Sequence, residues 1–379
     1  MKKTVLCMIL AVAMTMVVAL PVFAGGGAEK PVAINLYEDG SDNVRIVWEQ
    51  VIEAFHKTNP GFTVQLQYAA SGTNSQNAYQ KLIAAHQAGQ KDVDIDLMEM
   101  DENRMGLVLK EGKDLLVKLD PAKVTNMANV TAKSVVGPDQ SLMYRGTAVF
   151  IAYNADKVPN PPKTEAELQA WIKANPGKFA YNDPATGGAG GSFVNTALYN
   201  RMPPEAFTSD DPKWAKEFDA GFKVLAELHP FLYKASGKVQ YTVKNQGSLD
   251  LLAAGSIWMC PAWADMVLSQ KSQNLLPASI RLQQIDPSLT GNIAMLAIPS
   301  LSKYPNQAQK FLNYVVSVEA QDIFVRVMKA IPAVDPSKLP PATVEMLAGL
   351  QMKTYRTLTN GNLGTVIQQR WTKDIATLP

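Results

Sequence analysis

Residues 32–37 read VAINLY and are followed by EDG, and residues 62–68 read FTVQLQY; both stretches predict β-strands. Between them, residues 43–57 carry apolar side chains at helical spacing and predict a helix. A second predicted helix at 78–88 leads to VDIDLMEM at 93–100, which predicts a third strand. Strands that alternate with helices in this way predict a parallel sheet, and the chain belongs by this pattern to the α/β class.

Polar side chains follow each of these three predicted strands. Ligands of parallel α/β sheets bind beyond the carboxyl ends of the strands, so these side chains are candidates for a solute site. Carboxylates at that edge would suit a cationic ligand or the hydroxyls of a sugar. The candidates from the three strand ends are Glu38, Asp39, Ser41, Asp42, Ser71, Gly72, Asn74, Glu99 and Asp101.

The first 24 residues have the features of a secretory signal peptide. Lys2 and Lys3 precede an uncharged apolar run of about 17 residues, and Val22 and Ala24 occupy the two positions that a signal peptidase reads. We therefore predict cleavage after Ala24 and a periplasmic protein. A membrane anchor is the alternative, since the run is near the lower limit for a membrane span.

The chain that follows this segment carries no excess charge. Two lysines and no acid lie in residues 1–24, which leaves 34 basic and 34 acidic side chains. This balance argues against nucleic acid or an anionic membrane surface as a partner. Cys260 is then the one remaining cysteine, so the sequence predicts no disulfide within the chain, and stability must come from an apolar core.

Three later stretches resemble segments of the extracellular solute-binding proteins of ABC importers. YRGTAVFIAYN at 144–154, with the proline-rich connector after it, resembles the strand that crosses between the two lobes of family 1-like members. LLAAGSIWMCPAW at 251–263 resembles their helix, glycine and strand that meet the ligand. NQAQKFLNYVVSVEAQDIFV at 306–325 resembles the helix near the second crossing. The combination is most similar to a branch related to thiamine- or polyamine-type binding proteins.

The resemblance implies a bilobal periplasmic-binding-protein fold of the type II, or Venus flytrap, kind: two mixed sheets flanked by helices, with a cleft between the lobes. It implies lobe 1 at 31–147 plus about 293–335, lobe 2 at 148–292, and C-terminal helices at 336–379 that pack on the lobes. It further implies a monomer that traps a small-molecule solute by lobe closure and delivers it to an ABC permease in the inner membrane, with no cofactor and no catalysis.

A glycine-rich stretch, GGAGGS at 187–192, precedes another predicted helix. It lacks the lysine of a Walker loop, and Phe193 stands where a dinucleotide fingerprint requires its third glycine. The stretch could present free N–H groups to a carboxylate, phosphate or hydroxyl oxygen, or it could only cap the helix. The candidates at this stretch are Asn182, Gly190, Gly191 and Ser192.

Aromatic and charged residues on or beside the stretches at 144–154 and 251–263 complete the candidate site. Aromatic faces stack on the C–H surfaces of sugars and attract organic cations. The candidates are Tyr144, Arg145, Trp258, Trp263 and Asp265. The three histidines are far apart in the sequence and lack paired spacing, so we predict no metal site.

The sequence leaves the ligand open. We favour a carbohydrate or polyol-like solute, and an organic cation such as thiamine or a polyamine is the alternative. A secreted two-lobed hydrolase and a structural or adhesion protein are alternatives of other classes. The sequence contains no G-x-S-x-G elbow, which disfavours one large group of hydrolases.

Overall fold

The computed structural model describes residues 32–70, 77–348, 350 and 355–379. The predicted signal peptide and the candidates Ser71, Gly72 and Asn74 lie outside these residues. In the ranges that are described, no helix combines the length and the apolar character needed to cross a membrane.

The described residues form ten strands and twelve α-helices in mixed order. The strands are β1 (Val32–Gly40), β2 (Phe62–Ala70), β3 (Leu97–Met100), β4 (Ser141–Asn154), β5 (Lys234–Ala235), β6 (Lys238–Val239), β7 (Met259–Trp263), β8 (Ile280–Gln283), β9 (Gly291–Ala297) and β10 (Ile331–Pro332). The helices are α1 (Asp42–Thr58), α2 (Ala78–Gln87), α3 (Glu102–Glu111), α4 (Glu165–Ala174), α5 (Gly188–Tyr199), α6 (Asp219–Leu228), α7 (Lys244–Ala253), α8 (Ala264–Ser272), α9 (Pro305–Val315), α10 (Val318–Ile323), α11 (Pro341–Ala348) and α12 (Leu363–Asp374).

The first sheet has the strand order β10-β4-β9-β3-β1-β2. β1 is parallel to both β2 and β3, as the alternating strand and helix pattern predicts. β9 lies antiparallel between β3 and β4. The carboxyl ends of the three parallel strands therefore meet at one edge of this sheet, and the polar segments that follow them lie close together there.

One long strand, β4, belongs to two sheets. Its first part, residues 141–148, pairs with β9, and its last part, residues 149–154, pairs with β7 and β8 on its two sides. Phe179 adds a parallel bridge to Met259 of β7, which makes the second sheet mixed as well. Two mixed sheets with flanking helices confirm the predicted fold class.

Each sheet packs against its own apolar core. In the first core, α1 buries Trp48 completely, and the Trp48 ring meets the Phe324 ring edge-on at 5.2 Å between centroids. In the second core, Tyr181 and Trp371 are buried, and the Trp371 Nε1–H donates to the Tyr181 hydroxyl at 3.0 Å. Because Trp371 lies on α12, the C-terminal helix is an integral part of the second core.

Three predicted elements differ from the observed ones. The strand predicted at 93–100 begins only at Leu97: at Asp96 the backbone N–H donates to the Asn35 carbonyl, but the Asn35 N–H donates to the Asp96 carboxylate and not to a backbone carbonyl. The sequence also predicts one helix near 212–228, and the structure has a 3₁₀ helix over Pro212–Phe218 followed by α6. It likewise predicts one helix near 306–328, which divides because the Ser317 hydroxyl accepts from the Ala320 N–H and begins a new helix, α10.

Candidate solute site

A cavity of ≈ 230 Å³ lies at the carboxyl ends of β1 and β2. Its wall consists of side chains from both strands, from Glu99 at the end of β3, from the start of α2 and from Arg104 on α3. Three of the predicted strand-end acids, Glu38, Asp39 and Glu99, line it. The sheet topology therefore brings these acids together at one wall, as the order of strands and helices predicts.

Two buried carboxylates share one tyrosine at the inner end of this cavity. The Tyr144 hydroxyl lies 3.1 Å from Glu38 Oε2 and 3.0 Å from Glu99 Oε2. Arg145 Nε donates to the same hydroxyl at 3.0 Å, and Arg145 Nη2 lies 3.4 Å from Glu99 Oε2. All four side chains are at least nine-tenths buried, so their charges are little screened by water.

The geometry assigns a proton to Glu38. A hydroxyl has one hydrogen to donate and two lone pairs, and Arg145 occupies one lone pair of Tyr144. Tyr144 can thus donate to one carboxylate only, and the other must be protonated to bond with it. Glu99 has the Arg145 guanidinium beside it, whereas Glu38 Oε1 accepts no hydrogen bond from any described residue. Burial, and then the neighbouring charge of Glu99, raise the pKa of Glu38 well above its usual range.

A bidentate ion pair supports the outer wall of the cavity. Arg104 donates from Nη1 and Nη2 to the two carboxylate oxygens of Asp39 at 2.9 and 2.8 Å. Asp101 caps α3 by accepting from the Arg104 N–H at 2.8 Å, and its carboxylate lies 3.5 Å from Arg104 Nε. Asp101 therefore stabilises the start of α3, and Asp39 is neutralised by a guanidinium that this helix positions.

Three tyrosines add aromatic surface to the cavity. Lys81 Nζ lies 4.9 Å from the centre of the Tyr37 ring, and the Arg104 guanidinium lies 5.9 Å from that of Tyr79. The Tyr68 hydroxyl donates to the Gly40 carbonyl at 2.6 Å. Burial, followed by the charge of nearby carboxylates, raises the pKa of Tyr68 to about 12, so this hydroxyl stays neutral and can donate.

A second groove, of ≈ 480 Å³, separates the segment after β1 from α7 and α8. The candidates Ser41 and Asp42 line this groove and not the smaller cavity. Asn245 at the start of α7 reaches across it, with Nδ2 3.5 Å from Ser41 Oγ. The strand-end candidates therefore divide between two neighbouring depressions, with Tyr68 in the wall of both.

Asp265 joins elements of both sheets. Its buried carboxylate accepts from the Thr147 hydroxyl of β4 at 2.5 Å and from Asn43 Nδ2 of α1 at 2.7 Å. Burial raises the pKa of Asp265, while these hydrogen bonds and the Arg145 charge oppose the shift. The side chain thus ties the start of α8 to the start of α1 close to the point where β4 changes sheets.

The glycine-rich stretch begins α5, and its first donors have partners within the chain. Gly190 N–H donates to Asn182 Oδ1 at 2.8 Å, and Asn182 Nδ2 donates to the carbonyls of Asp183 and Gly187. Ala189 N–H donates to Asn245 Oδ1 at 3.0 Å. Asn182 is fully buried, and its amide is used entirely in shaping this turn.

The last two candidates of this stretch lie inside the helix. Gly191 N–H bonds the Gly187 carbonyl at 3.4 Å. The Ser192 hydroxyl donates to the Thr290 carbonyl at 2.7 Å and is buried. Because α5 begins at Gly188, Ser192 is not the helix cap that the sequence allowed.

The two candidate tryptophans lie at opposite ends of β7. Trp258 packs beside Trp171 of α4, with ring centroids 6.5 Å apart, and Lys178 Nζ lies over its ring. Trp263 lies at the other end of β7, at the start of α8, where its indole packs on Gly188. A Cβ at Gly188 would lie 2.7 Å from Trp263 Cζ2, so glycine allows the close approach between α5 and this ring.

Sequence reasoning missed several residues of these two depressions. Arg104, Tyr79 and Lys81 lie on helices, whereas most candidates predicted from the sequence lie at strand ends and at the glycine-rich stretch. The spacing of Asp101 and Arg104 at a helix start was a usable signal, because a capping acid brings the third helical residue beside it. Across the described parts of the chain, no group of His, Cys, Asp and Glu side chains could hold a metal ion.

A family model and a curated protein match parts of this chain. A family model described as bacterial extracellular solute-binding protein matches residues 50–351. Protein YnjB of Escherichia coli strain K12 is 29% identical over 209 residues. That match covers 52% of each chain, so it spans about half the length of the curated relative.

Solved structures with the same fold cover almost the whole chain. The Atu4243-GABA receptor has a TM-score of 0.68 and 17% identity, over 92% of this chain and 99% of that one. A periplasmic thiamin binding protein has a TM-score of 0.63 and 16% identity, over 92% and 96%. An ABC transporter from Clostridium perfringens ATCC 13124 has a TM-score of 0.62 and 18% identity, over 90% and 98%. At these identities the likeness establishes the fold.

Proposed function

Because the chain belongs to the bacterial extracellular solute-binding proteins, we propose that it is the periplasmic component of an ABC importer that captures a small polar solute. The observation that carries this proposal is the cavity at the carboxyl ends of β1 and β2, where Glu38, Asp39 and Glu99 meet. Sheets of this kind bind their ligands at that edge.

The chemistry of the cavity favours a solute that donates hydrogen bonds. Carboxylates and a tyrosine hydroxyl surround it, and aromatic faces line it. A carbohydrate or polyol would offer hydroxyl donors, and an organic cation would offer ammonium or ring-nitrogen groups. The GABA receptor and the thiamin binding protein among the structural neighbours support the second class by their names.

Delivery of the solute requires a conformational change of the binding protein that a permease can recognise. In this proposal the lobes are residues 31–147 with about 293–335, and residues 148–292, and β4 runs from one to the other. A solute that contacts both lobes stabilises the closed form, because only that form offers both sets of contacts. The partner is then an inner-membrane permease, and the protein acts as a monomer.

Native mass spectrometry of freshly purified protein tests the proposal directly. We expect a one-to-one complex with a solute of low mass, released on unfolding. Titration of intrinsic tryptophan fluorescence with that solute should give a saturable shift, and Tm should rise with its concentration by mass action. Chemical conversion of the solute, or the absence of any bound or bindable solute, would contradict the proposal.

A further inference from the structure

The cavity at the ends of β1 and β2 contains more acid than base. Glu38, Asp39, Glu99 and Asp101 contribute four carboxyl groups at or beside its wall. Arg104 neutralises the outer pair, Asp39 and Asp101, only in part, and Lys81 lies over the Tyr37 ring in the outer wall. The buried pair, Glu38 and Glu99, shares the single guanidinium of Arg145. The inner end of the cavity therefore has one guanidinium for two carboxyl groups, a shortage of one positive charge that the proton on Glu38 makes up.

Glu38 is the group that this shortage affects most. Its side chain is 3% exposed, it lines the cavity, and its Oε1 has no hydrogen-bond partner among the described residues. A buried carboxyl oxygen without a partner costs free energy, which a bound donor would restore. The rings of Tyr37 and Tyr79 in the same wall already have a cation of the chain beside them, Lys81 Nζ and the Arg104 guanidinium respectively, so the free acceptor for a solute cation is Glu38.

We propose that the solute carries an ammonium or other organic cationic group, that this group binds at Glu38, and that its binding displaces one proton from the Glu38 carboxyl. This inference rests on the proposed function and assigns the substrate class of the same site. The solute's cation takes the place of the proton, so the net charge of the inner cavity stays balanced.

The groups that surround Glu38 determine the sign of the pH dependence. They are Asp39 on its own strand, Tyr68 opposite it on β2, Glu99 on β3, Tyr144 and Arg145 on β4, and Arg104 beside Asp39. Among the residues that the structure describes, Arg145 is the one cation in contact with the buried pair, and it lies beside Glu99. Glu38 therefore holds its proton until a cation arrives, and affinity should rise with pH by up to about tenfold per unit while Glu38 of the free protein is protonated.

Matched probes separate a cation site from a site for neutral polar solutes. Thermal shift and calorimetry would compare 1,4-diaminobutane, γ-aminobutyrate and thiamine with butane-1,4-diol and glucose on the full chain. We expect at least one cationic probe to bind, and neither neutral probe. Calorimetry in two buffers of different ionisation enthalpy should then report release of about one proton per cation bound.

Glu38→Gln removes the titrating carboxyl at almost constant volume. We expect it to lower cation affinity at least tenfold and to abolish the proton release, while Glu53→Gln, on an exposed acid paired with Lys57, leaves both unchanged. The measurement of proton release on the unmodified protein keeps the proposal testable even if Glu38→Gln does not fold. Binding of neutral probes alone, cation binding without proton release, or the failure of every cationic probe would overturn it. The first of these outcomes would leave the proposed function intact, and native mass spectrometry tests that function independently.

Discussion

Adjacent glycines in α5 allow a paired test of how its first turn is built. An alanine Cβ at Gly190 would lie 1.9 Å from the Asn182 carbonyl oxygen, far inside the contact limit of 3.0 Å. At Gly191 the nearest atom is the Pro184 carbonyl oxygen, at 3.9 Å. Gly190→Ala and Gly191→Ala thus make the same chemical change one position apart, in opposite steric surroundings.

The two substitutions are expected to change the free energy of unfolding in opposite directions. Gly191→Ala should stabilise the protein by about 0.5–1 kcal/mol, because alanine loses less backbone entropy in a helix than glycine. Gly190→Ala must move the Asn182 carbonyl by about 1 Å, and overpacking of that kind costs about 1–3 kcal/mol. The shift also strains the three hydrogen bonds of the Asn182 amide, each contributing about 1 kcal/mol. We expect a net loss of about 3 kcal/mol.

Urea unfolding followed by far-UV circular dichroism measures both variants against the unmodified protein. The m-value should stay constant, so that the midpoint alone reports the change. Equal stability of the two variants, or a Gly190→Ala variant more stable than the parent, would refute this account of the turn.

Three further outcomes follow from the buried charges and the thiol. Arg104→Ala leaves Asp39 without its bidentate partner and should cost about 2 kcal/mol in urea unfolding, whereas Arg45→Ala on the exposed face of α1 should change little. Burial raises the pKa of the Cys260 thiol, so Ellman's reagent should react with it only as fast as the protein unfolds, and immediate reaction would contradict its burial. The pKa of Glu38 is higher in the folded than in the unfolded chain, so above pH 4.5 the folded parent holds a proton that the unfolded chain has lost, and its stability falls as pH rises. Glu38→Gln lacks this loss and should gain stability relative to the parent by up to about 1.4 kcal/mol per pH unit. Parallel curves of stability against pH for the two proteins would exclude the shift.

The sequence predicts the first βαβαβ unit well, because periodicity and turn residues are local signals. Helix α1 was predicted at 43–57 and observed at Asp42–Thr58. Ser41 stands at the N-cap position of α1, yet its side chain makes no capping hydrogen bond and lies at the second groove. Position along the chain was therefore predictable, whereas the side chain's partner depended on packing.

The charge balance of the candidate site could not be predicted in the same way. Arg104 pairs with Asp39 across 65 positions, and Tyr144 reaches Glu38 across 106. No periodic pattern encodes such pairs, because they arise only when separate strands become neighbours in the sheet. The acids and tyrosines at strand ends are visible in the sequence, but which acid keeps a proton depends on where Arg145 lies.

The pairing of β4 with β9 sets the order in which this protein can form. β9 lies between β3 and β4 in the first sheet, yet residues 155–290 separate it from β4, and most of these build the second sheet and its helices. A ribosome must therefore synthesise the chain to residue 297 before β3 and β4 can both pair with β9, and to residue 332 before β10 completes the first sheet. Sheets closed by such distant strands form slowly. The nascent chain consequently leaves β3 and β4 without their common neighbour while residues 155–290 are synthesised, and a chaperone that binds unpaired strands would have its longest opportunity at these two.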